Sequence, residues 1–320
     1  MANNPKSISI SVVVTAYNRK DFLLDALNSA VNQTLSRDLY EIMCIKNFSE
    51  ENIDSYISKN KIISIKTGNC NLGEYLKIAA EKANGQVIAF LDDDDVFDSR
   101  KLSRVYKLLK SNDIGYYHND MTREEKDLNN GDIKKNVLKI SPSGYNKNYN
   151  VLHSSAFCMS AIVIKRSLLE KYSKDITNLK SNPDCFSLSI SLVNNVNILI
   201  DNNKLTFYRV HANNTSKQND LTKAIESEIS LNIPSLKFIR EIIAKSNSNL
   251  ALLFLDTVIF QAQTRLDMLK GDKSGLTKDT GKFFKEYGLK LLRNKPFLRR
   301  VMLILVFFVY KNYAIKRFLS

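Results

Sequence analysis

Short apolar runs alternate with amphipathic segments along the first third of the chain. Buried strands are predicted over residues 8–14, 40–45, 62–65 and 87–91, where β-branched and other apolar residues dominate. Apolar residues at helical spacing predict helices over residues 22–31, with Asp21 as the N-cap, and over 50–59, 72–83 and 99–110. Asn84 and Gly85 are the expected C-cap of the third helix. This alternation predicts a doubly wound α/β sheet flanked by helices.

The pattern changes twice further along the chain. Strands are predicted over residues 114–117, 156–164, 197–200 and 205–210, a helix over 186–192, and polar loops over 121–150 and 211–220. From residue 221 onward, helical spacing predicts helices that break near Pro234, Ser248 and Gly271. We therefore expect two halves of one α/β domain, residues 1–120 and 121–220, followed by a helical extension over 221–320.

Four consecutive carboxylates, Asp92, Asp93, Asp94 and Asp95, follow the strand predicted over residues 87–91. Side chains alternate along an extended chain, so we expect Asp92 and Asp94 to share one side and Asp93 to point away. Adjacent carboxylates repel one another, and a bound cation is the simplest compensation. Oxygen ligands suit Mg²⁺ or Mn²⁺. The alternative is a solvated acidic turn that caps the next helix.

The net charge of +14 indicates an anionic partner, which nucleic acid, a membrane surface or a phosphorylated substrate would each provide. Residues 282–320 hold ten basic residues and one acid, so this segment carries +9 of the total. The polar start of the chain shows no signal-peptide pattern, and the four scattered cysteines are expected to be reduced thiols. These features predict a cytoplasmic protein.

The basic segment contains ten consecutive apolar residues, 301–310. A transmembrane helix needs about 18 or more apolar residues, so this run is too short to span a bilayer. Its basic flanks favour a helix that lies on an anionic membrane surface, which would make the protein peripheral on the cytoplasmic membrane face. The alternative is burial against the rest of the chain or against a second copy, a homo-oligomer formed through the C-terminal helices.

Several short motifs occur in a recognisable order over residues 8–220. They are VVVTAYNR at 12–19, SAVNQT at 29–34, NLG at 71–73, ANG at 83–85, FLDDDD at 90–95, SAIVIKRS at 160–167 and YRVH at 208–211, followed by Asn214 and Ser216. In this order and spacing the chain resembles the family 2 glycosyltransferases, which have the GT-A fold and a DxD motif. The resemblance does not extend to the last hundred residues.

This resemblance implies a nucleotide-sugar donor, bound at the carboxyl ends of the strands where open α/β sheets place their ligands. Residues 1–120 would then bind the donor and residues 121–220 the acceptor. Two departures from the family pattern affect the donor site: Lys46–Ser49 replaces an Asp-rich turn that reads the base, and an Arg-Asn pair is absent from the third helix, where Lys77 is nearest. The residues implied for donor binding are Thr15, Ala16, Tyr17, Arg19, Asn47, Lys77, Asp92 and Asp93.

The resemblance also implies the metal ligands and the catalytic base. Asp94 is the first metal ligand, Asp92 shares the metal or holds the ribose, and His211 contacts the metal or the diphosphate. Asp184 lies where the family places its catalytic carboxylate, although an acid at this position also suits a helix N-cap. Tyr17 and Arg19 have a simpler alternative as caps of the sheet edge, and His211 as a polar loop residue.

These inferences predict a metal-dependent inverting glycosyltransferase that uses Mn²⁺ or Mg²⁺. We expect a lipid-linked or polysaccharide acceptor at the membrane face. A nucleotidyltransferase is the first alternative, but it would place a Gly-rich phosphate loop in the first turn, which has no glycine. A non-catalytic sugar-nucleotide or nucleic-acid binding protein is the second. Nucleic-acid binding would require basic and aromatic residues on the α/β core, so no nucleic-acid partner is expected.

Overall fold

The computed structural model describes residues 8–111, 113–211, 220–291, 301, 302 and 304. Contacts between residues divide the chain into two compact units. The first unit comprises residues 1–144, 157–178 and 194–209, and the second comprises 145–156, 179–193 and 210–320. The chain therefore passes between the units several times. The boundaries expected near residues 120 and 220 concern the roles of the segments, and they stay a prediction.

A mixed sheet, nine-stranded within the described residues, forms the first unit. Its strands are β1 Ile10–Ala16, β2 Tyr40–Lys46, β3 Ile63–Lys66, β4 Val87–Asp92, β5 Val96–Phe97, β6 Tyr116–Thr122, β7 Leu138–Ile140, β8 Ile162–Lys165 and β9 Ile198–Phe207. Their order is β3-β2-β1-β4-β8-β6-β9-β5, and β7 pairs with β9. The first four strands pair in parallel, and β8 is antiparallel to β4 and β6. This arrangement confirms the predicted α/β fold class.

Helices connect the strands of the first unit and supply the rest of its core. They are α1 Leu23–Val31, α2 Glu51–Lys59, α3 Leu72–Lys82, α4 Lys101–Ser111 and α6 Arg166–Tyr172. Val12, Ile42 and Ala89 of the sheet are fully buried in one cluster with Ala26 and Leu27 of α1. In this cluster the buried residues of β1 recur at every second position from Ile10 to Ala16, and those of α1 at spacings of three and four from Leu23 to Ala30. These are the periodicities from which the elements were predicted.

The second unit is helical over its described residues. Its helices are α5 Tyr149–Ser154, α7 Pro183–Val193, α8 Leu221–Ser227, α9 Ile233–Ala244, α10 Asn249–Lys270 and α11 Lys273–Leu291. Ser248 caps α10 and Gly271 ends it with φ 72°, as predicted. The predicted break near Pro234 is wrong, because a π-helical segment, Glu228–Asn232, joins α8 to α9. Pro234 lies in the first turn of α9, where its missing N–H costs nothing.

Two other boundary predictions are also wrong. Helix α1 follows Phe22 without a side-chain cap, so Asp21 is not its N-cap. The strands predicted over 197–200 and 205–210 form the single strand β9. Polar residues separate the two predicted strands, but the Asp201 carboxylate is buried against the Arg104 guanidinium at 2.8 Å and accepts a hydrogen bond from the Tyr117 hydroxyl at 3.2 Å. Tertiary pairing of charge overrides the local signal here.

Gly85 has a different role from the predicted C-cap. Helix α3 ends at Lys82, and its C-cap Ala83 is already extended, so Asn84 and Gly85 do not cap it. A Cβ at position 85 would lie 2.5 Å from the backbone nitrogen of Ser11. The Gly85 N–H also donates to the Ser11 hydroxyl at 2.9 Å. Glycine is therefore required because β1 approaches the chain closely at the start of β4.

We expect Gly85→Ala to destabilise the protein by about 2 kcal/mol, because the added methyl group forces buried backbone to shift. Urea denaturation would measure the loss. Gly68→Ala is the matched control, since a Cβ there meets no atom within 4 Å, and its stability should change by less than about 0.5 kcal/mol. Equal stability of the two variants would contradict this account of Gly85.

Candidate donor-binding and metal site

The carboxyl ends of three parallel strands meet at one edge of the sheet. In the register of β1 and β4, Thr15 lies opposite Asp92, and in the register of β1 and β2, Ala16 lies opposite Lys46. The segments that follow these strands therefore lie side by side, as expected for a doubly wound sheet. Thr15 and Ala16 are strand residues at this edge, and the Tyr17 side chain beyond them is 46% exposed.

The loops after β1 and β2 are joined by a reciprocal pair of asparagines. The Asn18 N–H donates to Asn47 Oδ1 at 2.9 Å, and Asn47 Nδ2 donates to Asn18 Oδ1 at 2.8 Å. Asn18 has φ 54°, a left-handed conformation that asparagine tolerates better than most residues. Lys46 points elsewhere: it is 2% exposed and pairs with Asp54 at 2.7 Å. Asn47 is thus the residue of the Lys46–Ser49 turn that contacts the loop after β1.

The acidic segment forms a turn. Strand β4 ends at Asp92, and the Asp95 N–H donates to the Asp92 carbonyl at 3.2 Å. The predicted alternation is therefore wrong, because it assumed an extended chain through Asp95. The Arg19 guanidinium pairs with both Asp93 and Asp94, and its Nη1 lies 2.8 Å from Asp94 Oδ2. Arg19 is a charge partner of the acidic turn and not simply a cap of the sheet edge.

These carboxylates are largely removed from water. Asp93, Asp94 and Asp95 are 4%, 7% and 1% exposed. Burial raises the pKa of Asp93 to about 6 against the opposing effect of Arg19, and burial raises the pKa of Asp95 to about 7. Burial, followed by repulsion from its three acidic neighbours, raises the pKa of Asp92 well above its ordinary value. The turn therefore concentrates more negative charge than its surroundings compensate.

Asp95 contacts residues other than Arg19. It accepts the Arg209 N–H at 3.1 Å, and Cys158 Sγ lies 3.7 Å from its Oδ2. The Ser160 hydroxyl bonds to the Asp95 side chain and accepts the Asp92 N–H at 2.9 Å. These contacts fix both ends of the turn to the segment that precedes β8.

Lys101 and Arg209 brace the turn, and sequence patterns did not assign either role. Lys101 is fully buried: its ammonium donates to the Ser160 carbonyl and, at 3.1 Å, to the Thr206 hydroxyl. Burial lowers the pKa of Lys101 to about 7. The Arg209 guanidinium donates to the Asp94 carbonyl at 3.0 Å and lies 4.4 Å from the centre of the Phe22 ring. These contacts favour a structural role for Arg209 in holding the acidic turn.

The donor set of the turn fits a hard divalent cation. Its side chains offer only carboxylate oxygens, the ligands that Mg²⁺ and Mn²⁺ prefer. The Arg19 guanidinium pairs with two of the four carboxylates, Asp93 and Asp94. Burial and repulsion between the acids raise the pKa values of Asp92, Asp93 and Asp95, so a further positive charge at the turn would be favourable. Among the described residues, no three His, Cys, Asp or Glu side chains are already arranged around a metal position.

Asp184 belongs to the second unit, at the start of α7. The helix begins at Pro183, so Asp184 lies in its first turn and is not its N-cap. Asp184 Oδ1 accepts the Cys185 N–H at 2.8 Å. The preceding Asn182 has φ 60° and donates through Nδ2 to Asn232 Oδ1 at 2.9 Å. Asn232 in turn donates to the buried Glu228 at 2.6 Å, so the π-helical segment holds the start of α7.

Comparison with known proteins decides the family. The sequence profile of Glycosyl transferase family 2 matches residues 11–173, about half of the chain. The chain belongs to this glycosyltransferase family. The matched region contains both loops of the donor edge and the complete acidic turn, which confirms the resemblance inferred from the motifs.

Relatives of this glycosyltransferase include two bacterial enzymes. A poly(ribitol-phosphate) beta-glucosyltransferase of Bacillus spizizenii is 31% identical over 140 residues, which cover 41% of this chain and 21% of that protein. The Escherichia coli enzyme WfaP, a UDP-Glc:alpha-D-GlcNAc-diphosphoundecaprenol beta-1,3-glucosyltransferase, is 24% identical over 212 residues, 65% of this chain and 79% of that protein. The chain spans 21% and 66% of the lengths of the first two curated relatives that it matches.

The fold of this glycosyltransferase is also found in solved structures. The crystal structure of Staphylococcus aureus TarS, residues 1–349, matches 98% of this chain and 89% of that one with a TM-score of 0.60 and 14% identity. TarS has also been solved in complex with UDP-GlcNAc, with a TM-score of 0.53. At this identity the likeness shows the fold alone, and it supports the GT-A architecture of the family.

Several predictions for this glycosyltransferase remain predictions. His211 and Asp184 lie in the second unit, and their roles in metal binding and catalysis are not decided by the geometry of the first. Lys77 lies on α3, 3.8 Å from Glu81, a contact typical of a surface ion pair. Residues 212–219 of the polar loop predicted over 211–220, and most of the apolar run over 301–310, lie outside the described residues. None of the described helices combines the length and apolarity needed to cross a membrane.

Proposed function

We propose that this family 2 glycosyltransferase transfers a hexose from a nucleoside diphosphate to an acceptor hydroxyl, with inversion at the anomeric carbon and with Mn²⁺ or Mg²⁺ bound. The observation that carries the proposal is the acidic turn at the end of β4, which lies opposite Thr15 and contacts Arg19. A diphosphate with its divalent cation matches this combination of buried carboxylates and a neighbouring guanidinium.

The nucleoside would lie on the side of the turn formed by the loops after β1 and β2. Asn47 contributes amide groups next to the Asn18 backbone, and the exposed Tyr17 ring offers an aromatic surface. Thr15 and Ala16 would contribute backbone and side-chain contacts, and Arg19 and Lys77 would contact phosphate. We favour UDP as the nucleotide, because the name of WfaP specifies UDP-Glc and TarS was solved with UDP-GlcNAc.

Asp92 and Asp94 would hold the divalent cation, with His211 as a further ligand, and Asp93 would stay paired with Arg19. When bound, the cation neutralises charge that develops on the leaving diphosphate. Arg19 can donate to the same diphosphate, since its guanidinium already faces Asp94. Asp95, tied to Ser160 and to the Arg209 backbone, keeps the turn in place during the reaction.

Asp184 would act as the general base. In an inverting transfer the acceptor hydroxyl attacks as the diphosphate leaves, and one carboxylate accepts the hydroxyl proton. The rigid start of α7, held through Asn182 and Asn232, would limit the positions that the Asp184 carboxylate can adopt. This restriction favours one orientation of the base toward the acceptor.

A lipid-linked or polymeric glycan is the acceptor class we propose. The name of WfaP includes an undecaprenol-linked diphosphate, and that of the Bacillus spizizenii relative a poly(ribitol-phosphate). Both acceptors carry phosphate, which suits the +9 charge of residues 282–320. The same charge would bring the protein to the cytoplasmic face of an anionic membrane, and a homo-oligomer through the C-terminal helices is the other arrangement we consider.

A screen of nucleotide sugars by thermal shift tests the proposal. With MnCl₂ present, UDP-glucose or UDP-GlcNAc should raise the melting temperature of the full-length protein by several degrees, since about 100 Kd of ligand stabilises by about 2.7 kcal/mol. GDP-mannose, nucleoside triphosphates and RNA oligonucleotides serve as comparison ligands. Stabilisation by RNA alone, or by nucleoside triphosphates alone, would favour the alternatives and contradict the proposal.

A further inference from the structure

Two aromatic residues, Phe157 and Tyr208, each precede a residue that contacts Asp95 of the acidic turn. Phe157 is 42% exposed, and its ring centre lies 5.7 Å from that of Tyr208, with the ring planes tilted by 54°. Phe157 precedes Cys158, whose Sγ lies 3.7 Å from Asp95 Oδ2, and Tyr208 precedes Arg209, whose N–H donates to the other oxygen of Asp95. Each ring therefore belongs to the residue that directly precedes a contact of Asp95 in the sequence. We refer to Phe157 and Tyr208 as the aromatic pair.

The backbone that presents Phe157 is unusual. Cys158 has φ 64° and ψ 101°, a conformation that side chains with a Cβ rarely adopt. A 3-10 turn, Met159–Ala161, follows at once and leads into β8. Such a conformation persists only where its surroundings impose it, and it is concentrated at functional sites. At this position Cys158 is buried, with 6% of its surface exposed, whereas the preceding Phe157 is 42% exposed.

A buried histidine anchors the same peptide. His118 is 7% exposed, and its Nε2 lies 2.9 Å from the Phe157 carbonyl oxygen. A carbonyl can only accept, so Nε2 carries the proton and donates it. Burial lowers the pKa of His118 to about 4, so the ring is neutral at physiological pH. The hydrogen bond from His118 thus fixes the main chain of Phe157, while the Phe157 side chain remains in contact with solvent.

The position of the aromatic pair indicates which part of the donor it would contact. Arg19 pairs with Asp93 and Asp94, and Asn47 joins the loop after β1, so the proposed nucleoside side of the turn is the side of Arg19 and Asn47. Asp95 faces Cys158, Ser160 and Arg209 instead. A sugar bonded to the far phosphate of a diphosphate at this turn would extend toward Asp95. The sugar ring is uncharged and has apolar C–H faces. Such a face packs more favourably on an exposed aromatic ring than beside a carboxylate.

We infer that the aromatic pair binds the hexose ring of the donor, with Phe157 as the principal contact. This inference rests on the proposed function, because it takes the diphosphate to lie at the acidic turn. It assigns Phe157 and Tyr208 to the sugar and the loops after β1 and β2 to the nucleoside. The aromatic pair should therefore affect binding of nucleotide sugars and not of nucleoside diphosphates.

Calorimetric titration in the presence of MnCl₂ separates these contributions. The full-length protein is titrated with UDP-glucose, UDP-GlcNAc and GDP-mannose, and with UDP and GDP as references. Phe157→Ala should weaken binding of the preferred nucleotide sugar about threefold to tenfold and leave binding of its nucleoside diphosphate within about twofold. Phe157→Tyr should retain the wild-type ratio of the Kd for the nucleotide sugar to the Kd for its nucleoside diphosphate. Leu138→Ala, at a 44% exposed position on β7, is the matched control and should change neither affinity.

Three results would overturn the inference. One is a ratio of the nucleotide-sugar Kd to the nucleoside-diphosphate Kd that is unchanged in both Phe157→Ala and Tyr208→Leu. Another is an equal loss for nucleotide sugar and nucleoside diphosphate, which would indicate a structural effect on the turn. The third is a rise in the acceptor KM with donor affinity unchanged, which would assign the aromatic pair to the acceptor. Failure of the wild type to bind any of these nucleotides would overturn the proposed function and this inference together.

Discussion

Replacing Asp94 with alanine is expected to lower sugar transfer by about 10²- to 10³-fold, the cost typical of losing one electrostatic group at a developing charge. Asp94 is 7% exposed and pairs with Arg19, so we do not expect a neighbouring side chain to move into its place in the variant. The variant should also lose most of the increase in donor affinity that Mn²⁺ produces in the wild type. Initial rates with saturating donor, and calorimetric titrations with and without Mn²⁺, would measure the two effects.

The control for this variant is Asp113→Ala. Asp113 is an exposed carboxylate of the same unit, and it pairs with Lys165 at 3.0 Å. Exposed ion pairs contribute little, so transfer should stay within about twofold of the wild type. Full activity of Asp94→Ala, with an unchanged response to Mn²⁺, would remove Asp94 from the metal site. A loss of activity accompanied by unfolding would be recognised from the melting temperature.

Asp184→Asn is expected to lower kcat by about 10²- to 10⁴-fold, the usual contribution of a general base. Asparagine keeps the size of the side chain and its place in the first turn of α7, so the fold and the donor affinity should be preserved. A Kd for the nucleotide sugar within about twofold of the wild type, combined with the loss of transfer, would identify a catalytic role. Burst and steady-state kinetics with a defined acceptor would give kcat separately from KM.

Glu226→Gln provides the matching control in the second unit. It is the same carboxylate-to-amide change at an exposed position on α8, and it should leave kcat and the melting temperature unchanged. A parallel loss of donor affinity and stability in Asp184→Asn would instead make Asp184 a structural residue at the start of α7. Wild-type transfer by Asp184→Asn would assign the base to another residue.

The sequence was informative wherever an element is decided by local periodicity. Apolar runs ending in polar residues located β1, β2 and β4, and parallel pairing then required Thr15 and Asp92 to share an edge. The same reasoning failed where the chain leaves regular structure. Alternation along a strand did not apply to Asp93 and Asp94, because β4 ends at Asp92 and both following side chains contact Arg19.

Residues recruited from distant segments were not visible in the sequence. Lys101 begins an amphipathic helix and looks like an ordinary surface lysine, yet its partners Ser160 and Thr206 lie 59 and 105 residues away. Arg209 was noticed within a motif, but only its contacts with Asp94 and Asp95 favour bracing over phosphate binding. Asn182, by contrast, carried a usable signal, because asparagine tolerates the left-handed conformation, φ 60°, that it adopts here better than most residues do.

The most direct test of the account is to locate the cation. Crystals of the full-length protein would be soaked with UDP-glucose and MnCl₂, and diffraction data collected at the manganese absorption edge. The account predicts one anomalous peak in coordination contact with the carboxylates of Asp92 and Asp94, with the diphosphate bound beside it. A donor bound elsewhere, with manganese absent from the end of β4, would contradict it.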